Sequence, residues 1–271
     1  MCFVSLLCEG YRGAWVAGGL WDAWTTQWSR ESVKKVCSLE VLAFGLASSH
    51  METWITSDVH LGARQCRAEA FCAFLRRVPP GVRLVLNGDV ITRLRGEHSI
   101  PPEHVAALDL LRALSLRQDV IWIAGNHDRK VRVTGEHNIQ YHKDFSLGTC
   151  LYVGHGDQFD HLSRLLRFLL LPVRVLYEFS TRVIGSQTHV ADFAKRFPAV
   201  YEVLNGHVVR NATSYAQIHG FGAVTCGHTH HAGTRVENGV TYYNTGCWTE
   251  DSSHVLVVKP DGTMTLQPVS D

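Results

Sequence analysis

Five short blocks hold the side chains with chemistry to offer, each an apolar run that ends in a ligand-type residue. The first is Thr56-Ser57-Asp58-Val59-His60-Leu61-Gly62. Residues i and i+2 of an extended segment point to the same face, so Asp58 and His60 are expected to reach one common atom. A carboxylate oxygen and an imidazole nitrogen together suit a divalent first-row metal. Alone, the tripeptide also reads as a loop carboxylate hydrogen-bonded to a nearby ring. The other blocks supply Asp89 after Gly88, the tetrad Gly125-Asn126-His127-Asp128, His155 after Gly154, and Gly227-His228-Thr229-His230. Asn126 offers a neutral carbonyl oxygen, which binds a cation without adding charge. His231 follows directly, and is excluded on the expectation that the local pattern alternates.

The elements that must position these groups are strands. Leu84-Val85-Leu86, Val120-Ile121-Trp122-Ile123, Leu151-Tyr152-Val153 and Ala223-Val224-Thr225-Cys226 are short runs rich in β-branched residues and bounded by glycine, as buried strands are. In open α/β sheets ligands bind at the carboxyl ends of strands, where glycine lets the backbone come close. Gathering Asp58, His60, Asp89, Asn126, His155, His228 and His230 at such ends would be very costly without a cation, so a dinuclear metal centre is expected. Between the strands, Cys66, Ala70, Phe71, Phe74 and Leu75 predict a packing helix, stopped by Pro79-Pro80-Gly81. Pro101-Pro102-Glu103 opens a second, with Val105, Leu108, Leu111 and Leu114 expected to face inward. The stretch from Gly135 to Leu147 is polar, and His137 and His142 read as solvated. Asn238-Gly239 and Pro260-Asp261-Gly262 are turn signals between closing strands; such antiparallel hairpins point to a mixed sheet.

The ordered set of five blocks resembles the calcineurin-like metallophosphoesterase superfamily from about Trp54 to the end of the chain. The resemblance implies an α/β sandwich of two mixed β-sheets flanked by helices, with two divalent metal ions between the sheet ends. Manganese is favoured by that likeness, and iron or zinc would suit the same donors. It further implies that Asp58, His60, Asp89 and His230 hold one ion, and Asp89, Asn126, His155 and His228 the other, with Asp89 bridging. His127 matches the histidine that contacts the phosphoryl group, and Asp128 the acid that orients it; a turn cap is the other reading of Asp128. The reaction implied is hydrolysis of a phosphoester or diphosphate bond by a metal-activated water. Asp157 and Asp160 read either as partners of a metal-bound imidazole or as an acidic helix start.

The chain has 271 residues, 45% of them hydrophobic and 19% charged, enough for one domain with a sizeable core. A net charge of +1 gives no argument for a polyanionic partner, and no basic groove interleaved with aromatics suggests nucleic acid. The eight cysteines include no Cys-x-x-Cys pair; Cys226 and Cys247 read as buried apolar residues of strands. Residues 1–50 are atypical, with Trp15, Trp21, Trp24 and Trp28, and translation from Met51 is expected, or else a poorly ordered extension. The phosphoesterase domain then spans 51–271, with an insertion of helical cap type at about 161–220. Leu162, Leu165, Leu166, Leu169 and Leu170 give it an apolar face interrupted by Arg164, Arg167, Arg174 and Arg182. It reads as a cap packed on the sandwich, or as a lid for an acyl chain whose arginines meet phosphate or an anionic membrane. With its flanking blocks it resembles the UDP-2,3-diacylglucosamine hydrolase branch. That likeness implies a lipid-linked diphosphate substrate and a cytoplasmic location, with the cap as a point of peripheral contact with the inner membrane. A nuclease of the superfamily and a non-catalytic metal-bound module are the alternatives.

Overall fold

The computed structural model describes residues 51–92, 101–161, 175 and 195–270. The expectations for residues 1–50 and for the cap residues 162–174 and 176–194 lie outside them. The strands are β1 (Thr53–Thr56), β2 (Arg83–Asn87), β3 (Val120–Ile123), β4 (Gln140–His142), β5 (Phe145–Leu147), β6 (Leu151–Val153), β7 (Ala223–Cys226), β8 (Gly233–Glu237), β9 (Val240–Asn244), β10 (His254–Val258) and β11 (Met264–Pro268). The helices are α1 (Ala68–Arg77), α2 (Pro102–Ser115) and α3 (Pro198–Ile218), with a 3-10 turn at Asp157–Phe159.

Two mixed sheets result, in the orders β11-β10-β1-β2-β3-β4 and β5-β6-β7-β9-β8. Strands β1 to β4 run parallel, and antiparallel β10 and β11 complete the first sheet. In the second, β6, β7 and β9 are parallel, with antiparallel β5 and β8 at the edges. Side-chain alternation assigns the layers. Val85, Ile121 and Ile123 point inward to meet Leu151, Val153 and Ala223 of the other sheet. Leu84, Leu86, Val120 and Trp122 point outward against Phe71, Phe74, Leu108 and Leu111 of α1 and α2. Val208, Val209, Ala212 and Ala216 of α3 cover Tyr152, Val224, Cys226 and Tyr242 on the far face. The order is helices, sheet, sheet, helix, and the central parallel strands β2, β3, β6 and β7 are buried on both faces, which is why they read as largely apolar runs.

Two expectations are corrected. Val105 is exposed, while His104 and Ala107 join Leu108, Leu111 and Leu114 inside, because successive steps of three residues drift around a helix of 3.6 residues per turn. The polar stretch 135–147 carries β4 and β5, edge strands with solvated faces and therefore no apolar run. His142 is exposed, whereas half-buried His137 lies within hydrogen-bond distance of the Val133 carbonyl through Nε2, at 2.8 Å. The Asn238-Gly239 turn joins β8 to β9 with both φ angles positive, the two-residue hairpin geometry that pair favours.

Candidate metal centre

The side chains expected to bind metal do not sit on strands. β1 ends at Thr56 and β7 at Cys226, and the backbone then turns. Asp58 and His60 have φ of 52° and 55°, His228 and His230 of 62° and 56°, and Asp89 of 53°. These left-handed conformations are rare outside glycine and cost roughly 1–3 kcal/mol each, so they persist only where the surroundings fix them. Convergence of the i, i+2 pairs thus comes from two left-handed residues flanking one other, not from alternation along a strand. The first turn is held beside the Gly88-Asp89 turn: Asp58 N donates to Gly88 O (3.1 Å), His60 N to Asp89 O (2.9 Å) and Leu61 N to Val90 O (2.8 Å). Buried His104 of α2 accepts from Gly62 N at 2.8 Å. The second turn is pinned by Tyr201 Oη donating to Thr229 O (2.7 Å), Lys195 Nζ to His230 O (2.8 Å) and Asn244 Nδ2 to Gly227 O (2.8 Å).

Eight of the nine expected site residues meet. Asp58 Oδ1 lies 3.2 Å from His230 Nε2 and 3.8 Å from His60 Nε2, and those two nitrogens are 3.1 Å apart. Asp89 Oδ2 lies 3.3 Å from His155 Nε2 and 3.9 Å from His127 Nε2. Ligand atoms of Asp58, Asp89 and His155 fall within 4.8 Å of one another, as do those of His60, Asp89 and His127. His228 Nδ1 is 3.1 Å from Asn126 Oδ1, and its backbone N donates to Asp58 Oδ2 at 3.0 Å. His231 instead meets Tyr201 edge-on, ring centroids 5.5 Å apart.

These residues fit a divalent cation. Asp58 Oδ1 and His155 Nε2 are buried and make no hydrogen bond, an expensive arrangement for two polar atoms facing one space. His155 Nδ1 donates to Asn87 O at 2.8 Å, which fixes the ring with Nε2 turned toward Asp89. Glycines make the approach possible: a Cβ on Gly227 would stand 2.1 Å from Asp58 Oδ2, one on Gly125 2.1 Å from Asp89 Oδ1, and one on Gly88 2.4 Å from His155 Nδ1. Each glycine thus makes room for a ligand from a different block.

Electrostatics follow the same contacts. Burial alone would raise Asp89, but the His155 and His60 imidazoles hold it at about 2. Burial likewise opposes ionisation of Asp58, yet His155, His230 and His60 keep its carboxyl well below the usual range. Burial would lower His155, and the Asp89 and Asp58 carboxylates push it up to about 10.

Asp128, the ninth residue, anchors the tetrad. Its carboxylate accepts from Gly125 N (2.8 Å), Val90 N (2.8 Å) and Trp122 Nε1 (3.0 Å), tying the His127 turn to β3 and to the Asp89 turn. Asp157 begins the 3-10 turn and pairs with Arg129, whereas Asp160 reaches His228 Nε2 at 3.1 Å. Cys226 is buried in β7, and Cys247 is buried after β9, outside a strand, within 4.8 Å of ligand atoms of His230 and Glu250. His104, Tyr201 and Asn244 were not singled out in the sequence as holders of the turns; lone polar residues on helices and strand ends carry no pattern to mark them.

Residues 51–232 match the family described as calcineurin-like phosphoesterase. No curated protein matches the chain. Among solved structures, a Vps29 variant from Entamoeba histolytica is similar at 16% identity and a TM-score of 0.41, over 81% of this chain and 98% of its own. A phosphoesterase from E. coli, YfcE, is similar at 12% identity and a TM-score of 0.38, over 81% of this chain and 100% of its own. The Pseudomonas putida nuclease MPE reaches 24% identity and a TM-score of 0.29, over 38% of this chain and 53% of its own.

Proposed function

Because the chain belongs to the calcineurin-like phosphoesterase family, whose members depend on metal, we propose that it hydrolyses a phosphoester or diphosphate bond at a two-metal centre. Asp58, His60, Asp89 and His230 would hold one ion and Asp89, Asn126, His155 and His228 the other, with manganese preferred over iron or zinc. When bound, such a pair lowers the pKa of water to give a nucleophile and neutralises charge developing on the phosphoryl oxygens.

The observation that carries the reading is a gradient of exposure. Asp58, His60 and His155 are sealed from solvent, whereas 29% of the His127 side chain reaches it. A phosphoryl group arriving from solvent would therefore meet the side of the cluster formed by His127 and the part-exposed His228. The His127 backbone N donates to Asp89 Oδ1 at 2.8 Å, which fixes the residue beside the cluster. From there the ring hydrogen-bonds a phosphoryl oxygen or protonates the leaving oxygen. Asp128 supports this by holding the turn.

For the substrate we infer a lipid-linked nucleoside diphosphate of the UDP-2,3-diacylglucosamine type. What supports this is the insertion at about 161–220, which adjoins the site: Asp160, just before it, lies 3.1 Å from His228, and Lys195 within it donates to the His230 carbonyl. The experiment is hydrolysis of bis-p-nitrophenyl phosphate with manganese, followed by a UDP-diacyl sugar beside single-stranded DNA. Turnover of the sugar nucleotide alone supports the diphosphatase, and cleavage of DNA alone replaces it with a nuclease. A loaded centre with no turnover of any of the three leaves a metal-bound interaction module.

A further inference from the structure

His228 is oriented differently from the other imidazoles of the cluster. His60, His230 and His155 turn Nε2 inward, toward Asp58 or Asp89. His228 turns Nδ1 inward, 3.1 Å from Asn126 Oδ1, and Nε2 outward, 3.1 Å from Asp160 Oδ2. We propose that Asp160 is a positioning residue that keeps the proton of His228 on Nε2 and so presents Nδ1 as the donor facing the metal beside Asn126.

The inference rests on the two-metal reading and adds to it a residue outside the ligand set. An ionised carboxylate only accepts, so a hydrogen bond to Asp160 places the proton on Nε2. Nδ1 is then a lone pair facing the Asn126 oxygen at hydrogen-bond distance. Two acceptors so close repel unless a cation or a second proton lies between them, and on the two-metal reading a cation shared by both removes that repulsion. Asp160 is itself held by the fold. Its N donates to Asp157 O at 3.2 Å, closing the 3-10 turn, and Asn211 Nδ2 of α3 donates to the preceding carbonyl, Phe159 O, at 2.8 Å. His207 Nε2, one helical turn earlier, lies 3.0 Å from the following carbonyl, His161 O. α3 therefore clamps the backbone on both sides of Asp160, and the same helix holds the His228 turn through Tyr201.

The full chain, stripped with a chelator and titrated with manganese(II) by calorimetry, tests this. Asp160→Ala should weaken one of the two binding events by about 10–100-fold. Asp160→Asn, whose amide oxygen accepts the same hydrogen bond, should recover most of that loss. In a His228→Ala background Asp160→Ala should have no further effect, since the two residues act as one unit. The metal-free Asp160→Ala protein should unfold within about 2 °C of the parent, a shift too small for a structural role. Wild-type affinity in Asp160→Ala, or an equal loss with and without His228, overturns the inference while the two-metal reading stands. A parent chain that takes up no manganese overturns both.

Discussion

His127 and Asp89 stand next to each other in space and should fail differently. Asp89→Ala removes a carboxylate shared by both ligand groups, and both metal content and turnover should vanish. His127→Ala leaves the buried donors in place; metal content by mass spectrometry should hold while kcat falls by about 10²–10⁴-fold. Gly227→Ala should behave as a ligand variant although it removes no ligand. Its Cβ would stand 2.1 Å from Asp58 Oδ2, so Asp58 must move, and we expect a loss of about 1–3 kcal/mol in urea denaturation together with weaker metal uptake. Protonation gives a further test. In the metal-free chain His155 is raised from 6.5 to about 10, so its stabilising contribution is complete below pH 6.5 and lost as pH rises through 10. Asp89 is lowered from 3.8 to about 2, so its contribution is complete above pH 3.8 and lost as pH falls through 2. Stripped protein should therefore be most stable between those limits, and metal binding at pH 7 should release protons, measurable by calorimetry in two buffers of different ionisation enthalpy.

At the scale of elements, α3 braces the site from one side as α1 and α2 brace the first sheet from the other. Tyr201→Phe deletes only the hydroxyl that binds Thr229 O. It should cost about 1 kcal/mol in stability and release the left-handed turn of His228 and His230, lowering metal affinity by more than the stability change alone accounts for. The ligand-bearing strands were legible in the sequence because a parallel strand buried on both faces must be apolar throughout, as Val120-Ile121-Trp122-Ile123 is. β4 and β5 were not, since an edge strand facing water keeps its polar residues. The positive φ angles of Asp58, His60 and His228 were invisible for another reason. Residue type suggests such a conformation strongly for glycine and only weakly for Asn, Asp and His, and here the neighbouring turn imposes it on side chains chosen for their chemistry. Asp160 stayed ambiguous beside Asp157 because in the sequence either could open a helix; in the structure Asp157 begins the 3-10 turn, Asp160 follows its end, and contact with His228 sets Asp160 apart.

Across the whole molecule, the centre lies where the two sheets end together. Asp58, Asp89 and Asn126 come from the first sheet, and His155, His228 and His230 from the second. The described residues include no helix long and apolar enough to cross a membrane. The bonds that join the sheet ends are polar: His228 N to Asp58, His155 Nδ1 to Asn87 O, Asn87 Nδ2 to Gly154 O (3.1 Å), and Ser57 Oγ with Thr245 Oγ1 (2.7 Å). Chelation should therefore lower the unfolding temperature, because a cation at 100 times its Kd stabilises by about 2.7 kcal/mol. It should also act like drawing a rivet from a hinge. With the cations gone, that end of the sandwich is closed by a few hydrogen bonds, while its far end stays sealed by Leu151, Ala223 and Val258. Amide deuterium uptake should quicken first at Asp58, Asp89, His155 and His228, well before the strands behind them exchange.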